Sequence, residues 1–247
     1  MSSSDASLAA SIAEEAGSLL LQIRSSGAED LGRAGDLRSN ELILGRLREE
    51  RPSDAVLSEE SADSPARLDA ARVWIVDPLD GTREFAMAGR PDWAVHVALW
   101  ESGRGLTAAA VAQPAIGRVF SSDRPVRPSE VRRDRPVVLV SDSRPPVFAA
   151  EVAAAIGGTV APMGSAGAKA MAVLRGEADA SLHAGGQWEW DSAAPVGVLL
   201  ASGFHASRLD GSELLYNRPH PYLPDLLMCR PELAPPLLAA LSRVVNP

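Results

Sequence analysis

The 247-residue chain has a single cysteine, a single lysine and few aromatic residues, 4% of the total. A lone Cys229 excludes an intramolecular disulfide framework and fits a reducing compartment. Its place after Leu226, Leu227 and Met228 reads as buried and inert. With lysine almost absent, basic residues are arginine nearly throughout, which reads as codon bias and serves only as a background rate. Positive charge is short as a whole, because 24 Lys and Arg face 32 Asp and Glu for a formal charge of −8. That balance argues against a broad surface for a nucleic-acid polymer or a membrane. No apolar run reaches spanning length, and Met1-Ser-Ser-Ser-Asp5 lacks the basic and then apolar stretch of a secretory leader. A cytoplasmic protein is expected. An anionic ligand must then be met locally, and carboxylates that collect divalent cations invert the sign of their own site.

Apolar residues make up 46% of the chain, enough for a substantial core. Leu8, Ile12, Leu19, Leu20 and Ile23 recur at helical spacing, as do Leu37, Leu42, Ile43, Leu44 and Leu47, which predicts two amphipathic helices before Pro52. Ala55–Ser58 and Val73–Val76 are short apolar runs ending in acidic residues, as suits buried strands. Alternation over Trp93–Trp100, Leu106–Gln113 and Arg118–Ser121 predicts an antiparallel meander. The charged, proline-rich stretch Ser122–Pro136 reads as an exposed connection between two halves, 1–125 and 137–247, of one compact unit. Beyond it, strand Val137–Val140, helices Phe148–Ile156 and Ala166–Leu174, strand Ala180–His183, and helices Ser192–Ser202 and Leu233–Val244 alternate. The expected class is α/β or α+β, with layered sheets and helices and no doubly wound sheet.

The clearest chemical feature is Trp74-Ile-Val-Asp-Pro-Leu-Asp-Gly-Thr-Arg-Glu-Phe85, an apolar strand breaking into a turn that carries Asp77 and Asp80. Pro78 stiffens the backbone between them, and Gly81 allows close approach and leaves its amide to a phosphate oxygen. Hard divalent cations prefer oxygen donors, so Asp77, the carbonyl of Leu79 and Asp80 form a partial shell for Mg²⁺. Asp-Pro and Asp-Gly also serve simply as turn formers. Glu59 and Glu60 follow the strand Ala55–Ser58 and would complete the shell only if the two strands are neighbours; adjacent glutamates are more often a solvated surface. Asp191, read as lying just ahead of an alanine-rich helix, has capping as its default role, which is compatible with ligation. Haloacid-dehalogenase-type phosphatases use Asp-x-Asp-Gly-Thr after a strand, but the spacing here is Asp-x-x-Asp and their later lysine and paired aspartates are missing.

Leu57-Ser-Glu-Glu60, Trp74 to Phe85 and Trp190-Asp-Ser-Ala-Ala-Pro195 resemble the three signature segments of the inositol monophosphatase superfamily. The resemblance runs from about the second helix to Asp191. It implies an alternating αβαβα layered sandwich of the inositol monophosphatase and fructose-1,6-bisphosphatase type, Mg²⁺ dependence with two or three ions, sensitivity to Li⁺ and homodimerisation. By position, Glu59 would be a metal ligand and catalytic residue, Asp77 would bridge two ions, the Leu79 carbonyl would bind one, and Asp80 with Asp191 would bind the other. Leu79, Asp80 and Asp191 would thereby also border the substrate. Gly81 and Thr82 would hold phosphate, with Thr82 also orienting the attacking water. Asp36 matches the family's earlier acidic residue by its spacing from Glu59, although Gly35-Asp-Leu-Arg-Ser-Asn40 departs from the usual pattern. Gly164-Ser-Ala-Gly-Ala-Lys169 resembles the Gly-Ser-x-x-Lys segment of the 3′(2′),5′-bisphosphate nucleotidase branch, and Ala184–Asp191 with Tyr222-Leu-Pro224 resembles its sulfur-assimilation members. That branch removes the 3′-phosphate of 3′-phosphoadenosine 5′-phosphate, with Lys169 near a second phosphate; its alternative is a helix-surface lysine. Trp188 or Trp190 would stack on adenine or pack about the helix start. Two-metal hydrolysis needs no covalent nucleophile, so His96, His183, His205 and His220 read as structural. The competing readings are a phosphatase for inositol 1-phosphate or fructose 1,6-bisphosphate, and a non-catalytic metal or nucleotide sensor.

Overall fold

Among the described residues the strands form two five-stranded sheets, one with its strands side by side in chain order and the other crossed over, its third strand in sequence lying between its first and its fifth. The computed structural model describes residues 4–27, 29–128 and 133–245. The first sheet comprises β1 (Ala55–Ser58), β2 (Arg72–Asp80), β3 (Ala94–Glu101), β4 (Gly105–Gln113) and β5 (Arg118–Ser121). The predicted meander is present from β2 to β5, while β1 joins β2 in parallel, with Ala55 opposite Val73. The second sheet comprises β6 (Val137–Ser141), β7 (Thr159–Met163), β8 (Ala180–Trp188), β9 (His205–Ser207) and β10 (Tyr222–Cys229). Strands β7, β9 and β10 were not foreseen. The described part of the predicted connection is exposed over Asp123–Arg127, and its residues 129–132 lie outside the described chain.

Alternation along the strands sends side chains to opposite faces, so each sheet is coated twice. On one face of the first sheet, Trp74, Val76, Val95, Val97 and Leu99 pack against helices α1 (Asp5–Ser25) and α2 (Leu31–Glu50). On the other, Val73, Ile75, Ala98 and Ala109 pack against α5 (Ala166–Leu174) and α6 (Glu189–Ala201). Leu139, Leu226 and Met228 of the second sheet close that same core from beyond. Its remaining face is covered by α4 (Ala149–Ala155) and α7 (Ala234–Val245), which meet Val138, Leu227 and Cys229. The layers therefore run α, β, α, β, α, as expected. Cys229 is fully buried, and burial pushes its thiol up to about 12, leaving it inert at neutral pH. Among the described residues no helix is long and apolar enough to cross a membrane.

Two local departures from the expected elements shape the site. The segment Asp77–Asp80 is not a turn: β2 continues through it with a bulge, its register against β3 shifting between Asp77 and Asp80. Helix α2 buries Ile43 and Leu47 as expected, but over its first half Leu37 is exposed and the buried residues are Gly32, Gly35, Ser39 and Asn40. A Cβ on Gly35 would lie 2.8 Å from the Leu79 side chain, and one on Gly32 would lie 2.8 Å from Thr82. Small residues let α2 lie close against the bulge, and polar ones fasten it. Ser39 donates to the Pro78 carbonyl at 2.7 Å, and Ser58 donates to Asn40 at 2.7 Å.

Candidate metal centre and cleft

The same alternation that builds the middle core delivers the acidic residues. Asp77 follows Val73 and Ile75 in register, so its side chain points towards α5 and α6, opposite His96 on β3. The bulge then turns Asp80 into the same space. Gly81 adopts φ +85°, and a Cβ there would come within 3.0 Å of Ser165 and 3.1 Å of the Asp92 carbonyl, so only glycine permits this exit. The short helix α3 (Thr82–Ala86) begins immediately after it. Asp191 is inside α6, not ahead of it as expected: it occupies the first turn and accepts a 2.6 Å hydrogen bond from the Trp188 N–H. Asp77, Asp80 and Asp191 each offer a carboxylate oxygen within 4.8 Å of the others.

Glu59 and Asp36 border this group. The Glu59 N–H bonds the Val76 carbonyl at 3.3 Å, which fixes the end of β1 beside Asp77. The parallel pairing of β1 with β2 thus meets the condition under which Glu59 could join the cluster. The Thr82 hydroxyl lies 3.2 Å from an Asp36 oxygen and 3.1 Å from the Leu79 carbonyl. All these residues contribute oxygen donors, the set that hard divalent cations take in preference to sulfur or imidazole. Glu59, Asp80 and Asp191, together with Lys169, Arg144, His183, Trp188 and Tyr222, line a cleft of about 520 Å³.

Electrostatics separates one carboxylate from the others. Burial opposes ionisation of Asp80, but His96, the Ser165 hydroxyl and the Gly167 N–H outweigh it and hold its pKa at about 2. The Gly167 and Ala166 N–H groups donate to Asp80 at 2.6 and 3.1 Å. The other carboxyls lack such support. Burial, with the charge of Glu60, pushes Asp36 up to about 7; burial, with Asp191 and Asp36, pushes Glu59 up to about 7. Burial and Asp80 raise Asp191 to about 6, and burial with Glu59 and Asp80 lifts Asp77 well above the carboxylate range. Mutually repelling buried carboxyls of this kind are restored to charge by a divalent cation.

Several residues here carry more than the sequence suggested. His96, expected to be structural, places Nε2 3.3 Å from Asp80 and Nδ1 3.1 Å from the Trp190 carbonyl, joining two carboxylate-bearing segments. Its one signal was position: a histidine facing inward in an otherwise apolar strand, opposite Asp77. Ser165 caps α5 through the Ala168 N–H at 2.9 Å and also donates to Asp80. Lys169 is 5% exposed, so the helix-surface reading is wrong. It donates to the Ser165 carbonyl at 2.8 Å, and burial lowers its pKa against the pull of Asp80. Trp188 and Trp190 stack on each other, with ring centroids 5.3 Å apart.

Comparison with known proteins agrees with this geometry. A Mycobacterium leprae protein named 3′-phosphoadenosine 5′-phosphate phosphatase is 55% identical over 256 aligned positions, covering 97% of this chain and 94% of its own. The protein of the same name from Mycobacterium tuberculosis is 56% identical over 239 positions, covering 92% of this chain and 90% of its own. The 3′(2′),5′-bisphosphate nucleotidase CysQ of Salmonella typhimurium is 32% identical over 195 positions, covering 74% of this chain and 78% of its own. Among solved structures, the inositol monophosphatase from Anabaena superposes with a TM-score of 0.80 over 96% of this chain and 95% of its own, at 22% identity, a likeness of fold. Residues 4–245 match the inositol monophosphatase family, and the chain belongs to it.

Proposed function

We propose that the chain is a Mg²⁺-dependent phosphatase that removes the 3′-phosphate of 3′-phosphoadenosine 5′-phosphate, giving AMP and phosphate, in sulfur assimilation. The observation that carries this reading is the close group Asp77, Asp80 and Asp191, of which Asp80 and Asp191 border a cleft, in a chain 55% identical to a phosphatase named for that substrate. The family is metal-dependent; two or three Mg²⁺ ions would be held by Glu59, Asp77, the Leu79 carbonyl, Asp80 and Asp191. Bound there, the ions supply Lewis acidity towards phosphate and water and neutralise developing charge.

The chain's own groups do the rest. The Gly81 N–H and the Thr82 hydroxyl receive the phosphate oxygens, and Lys169 adds positive charge to the cleft. Thr82, between Asp36 and the Leu79 carbonyl, orients the attacking water. Asp36, beside the Thr82 hydroxyl, and Glu59, beside Asp77, accept the proton of that water. Residues 1–125 and 137–247 act as one catalytic unit, because α6 of the second stretch packs on β2, β3 and β4 of the first. The enzyme is a cytoplasmic homodimer in this reading.

Phosphate release from 3′-phosphoadenosine 5′-phosphate, inositol 1-phosphate and fructose 1,6-bisphosphate, with Mg²⁺ and with or without Li⁺, tests it. The nucleotide is the preferred substrate, and Li⁺ inhibits. Preference for the inositol or sugar phosphate retains the metal centre and removes the nucleotidase assignment. Metal-dependent nucleotide binding without turnover makes the protein a sensor.

A further inference from the structure

Two deeply buried charged side chains take no part in the chemistry described above: Arg67 is 1% exposed and Glu189 is fully buried. Charged groups at that depth are strongly destabilising unless they are paired and hydrogen-bonded. Both are, and their partners tie together segments that lie far apart in the chain. We propose that Arg67, Asn217 and Glu189 form a strap that positions Asp191, so that the one carboxylate supplied by the second stretch of chain meets those of the first. This rests on Asp191 being a metal ligand, as in the reading above.

Glu189 is the first residue of α6, two positions before Asp191. Its two carboxylate oxygens accept from successive backbone N–H groups, that of Asn217 at 2.7 Å and that of Arg218 at 2.8 Å. Its own N–H donates to the Pro221 carbonyl at 2.9 Å. Three residues along the helix, the Ser192 hydroxyl shares a 3.2 Å hydrogen bond with the hydroxyl of Tyr216. Residues three apart share a helix face, whereas residues one or two apart do not. Residues 216–218 therefore grip the first turn of α6 from behind, and Asp191 projects from another side towards Asp77 and Asp80.

Arg67 fixes the shape of that grip. Asn217 has φ +57°, a left-handed conformation that asparagine tolerates better than most residues. In it, the N–H groups of Asn217 and Arg218 converge on one carboxylate. Arg67 holds the turn from outside: Nη1 donates to the Asn217 side-chain oxygen at 2.6 Å, and Nη2 donates to the Arg218 carbonyl at 2.9 Å. The Asn217 amide returns a 3.3 Å bond to the Arg67 carbonyl. The guanidinium also grips both oxygens of Asp63, at 2.7 and 3.0 Å, through Nε and Nη2. Only the planar fork of arginine supplies so many fixed donors at once. Arg67 lies in the short helix Pro65–Asp69, and Asp63 stands four residues after Glu59. The strap thus joins the chain that has just supplied Glu59 to the helix that supplies Asp191. None of its three members is among the residues lining the cleft, so they act through Asp191.

The test reads Mg²⁺ affinity by calorimetry on the substrate-free protein, at a temperature where circular dichroism shows each variant folded. Glu189→Gln keeps the shape of the side chain but sets an amide NH₂ against one of the two backbone donors, and Mg²⁺ affinity falls by about 10–100-fold. Glu189→Asp, which retains two acceptor oxygens, recovers part of the loss. Asn217→Gly keeps the left-handed backbone and the N–H given to Glu189 while cutting the link to Arg67. It lowers Mg²⁺ affinity less, and it is the milder probe should Glu189→Gln fold poorly. Asp191→Asn is the control for the ligand itself. If Asp191→Asn loses affinity while the folded Glu189 and Asn217 variants bind Mg²⁺ as the wild type does, with only their melting temperatures lowered, the network is merely structural and the strap alone is overturned. Wild-type affinity in Asp191→Asn removes that residue from the metal centre, and the strap falls with it.

Discussion

The two walls of the cleft are built on opposite principles. The first wall concentrates like charges: Glu59 and Asp80 border the cleft, with Asp77 of β2 and Asp36 of α2 beside them, and all but Asp80 resist ionisation there. The wall from the second sheet offers an aromatic surface from β8 and β10 and the Arg144 guanidinium from the loop after β6. One wall is complete only with cations, and the other presents protein groups ready for contact.

The largest effect expected from breaking this division is on the acidic wall. Asp80→Ala removes a residue inside the buried carboxylate group, and hydrolysis of every substrate in the panel falls about a thousandfold or more, beyond the roughly 10–100-fold that loss of a partner behind a ligand costs. Steady-state phosphate release reads this directly; a variant that lost activity only on the nucleotide would place Asp80 on the wrong wall. His96→Asn comes next. It removes the contact that joins Asp80 to the Trp190 carbonyl, and Mg²⁺ affinity, read by calorimetry, falls by about 10–100-fold.

A smaller effect separates the walls without mutation. The folded pKa values of Asp36 and Glu59, about 7, and Asp191, about 6, lie above those of free carboxyls. Groups raised in this way contribute stability that is present at low pH and lost as pH rises through the folded values. The metal-free protein therefore melts at a higher temperature near pH 5.5 than near pH 8. Mg²⁺ at pH 8 reverses the loss, by mass action on the ionised form. Asp80 has the opposite sign, with its stability lost only as pH falls towards about 2, so it does not act in this window. Thermal melts with chelator and with Mg²⁺ measure the difference, and a chelated melt independent of pH would refute it. The smallest effect is on the second wall. Tyr222→Leu removes one edge contact to Trp188, worth about 0.5–1.5 kcal/mol, and weakens nucleotide hydrolysis a few-fold while inositol 1-phosphate turnover is spared.

Legibility in the sequence differs between the walls for a physical reason. The acidic wall is assembled from segments in which a strand's alternation and a carboxylate at its end are adjacent in the chain, so Ile75, Asp77 and Asp80 announce the site together. Glu59 needed only the guess that two apolar strands are neighbours. Only part of the inward face of α2 was legible: Ile43 and Leu47 are buried as their spacing predicts, but Leu37 is exposed and the surface against the bulge is glycine, serine and asparagine. The aromatic wall joins Arg144, Gly186, Trp188 and Tyr222 from three places in the chain, and no local pattern marks them as one surface. The strand carrying Tyr222 was itself missed, since Pro224 and Asp225 interrupt its alternation.

By itself the sequence determined the layered class, the strands that end in carboxylates and the oxygen-donor chemistry of the site, because periodicity and donor type are local properties of a chain. Only the tertiary structure decided that His96 stands behind Asp80, that Lys169 is buried, and that Arg144 faces the cleft. Those outcomes depend on which distant backbones pack within a few ångströms of one another, and close packing is a property of the whole fold.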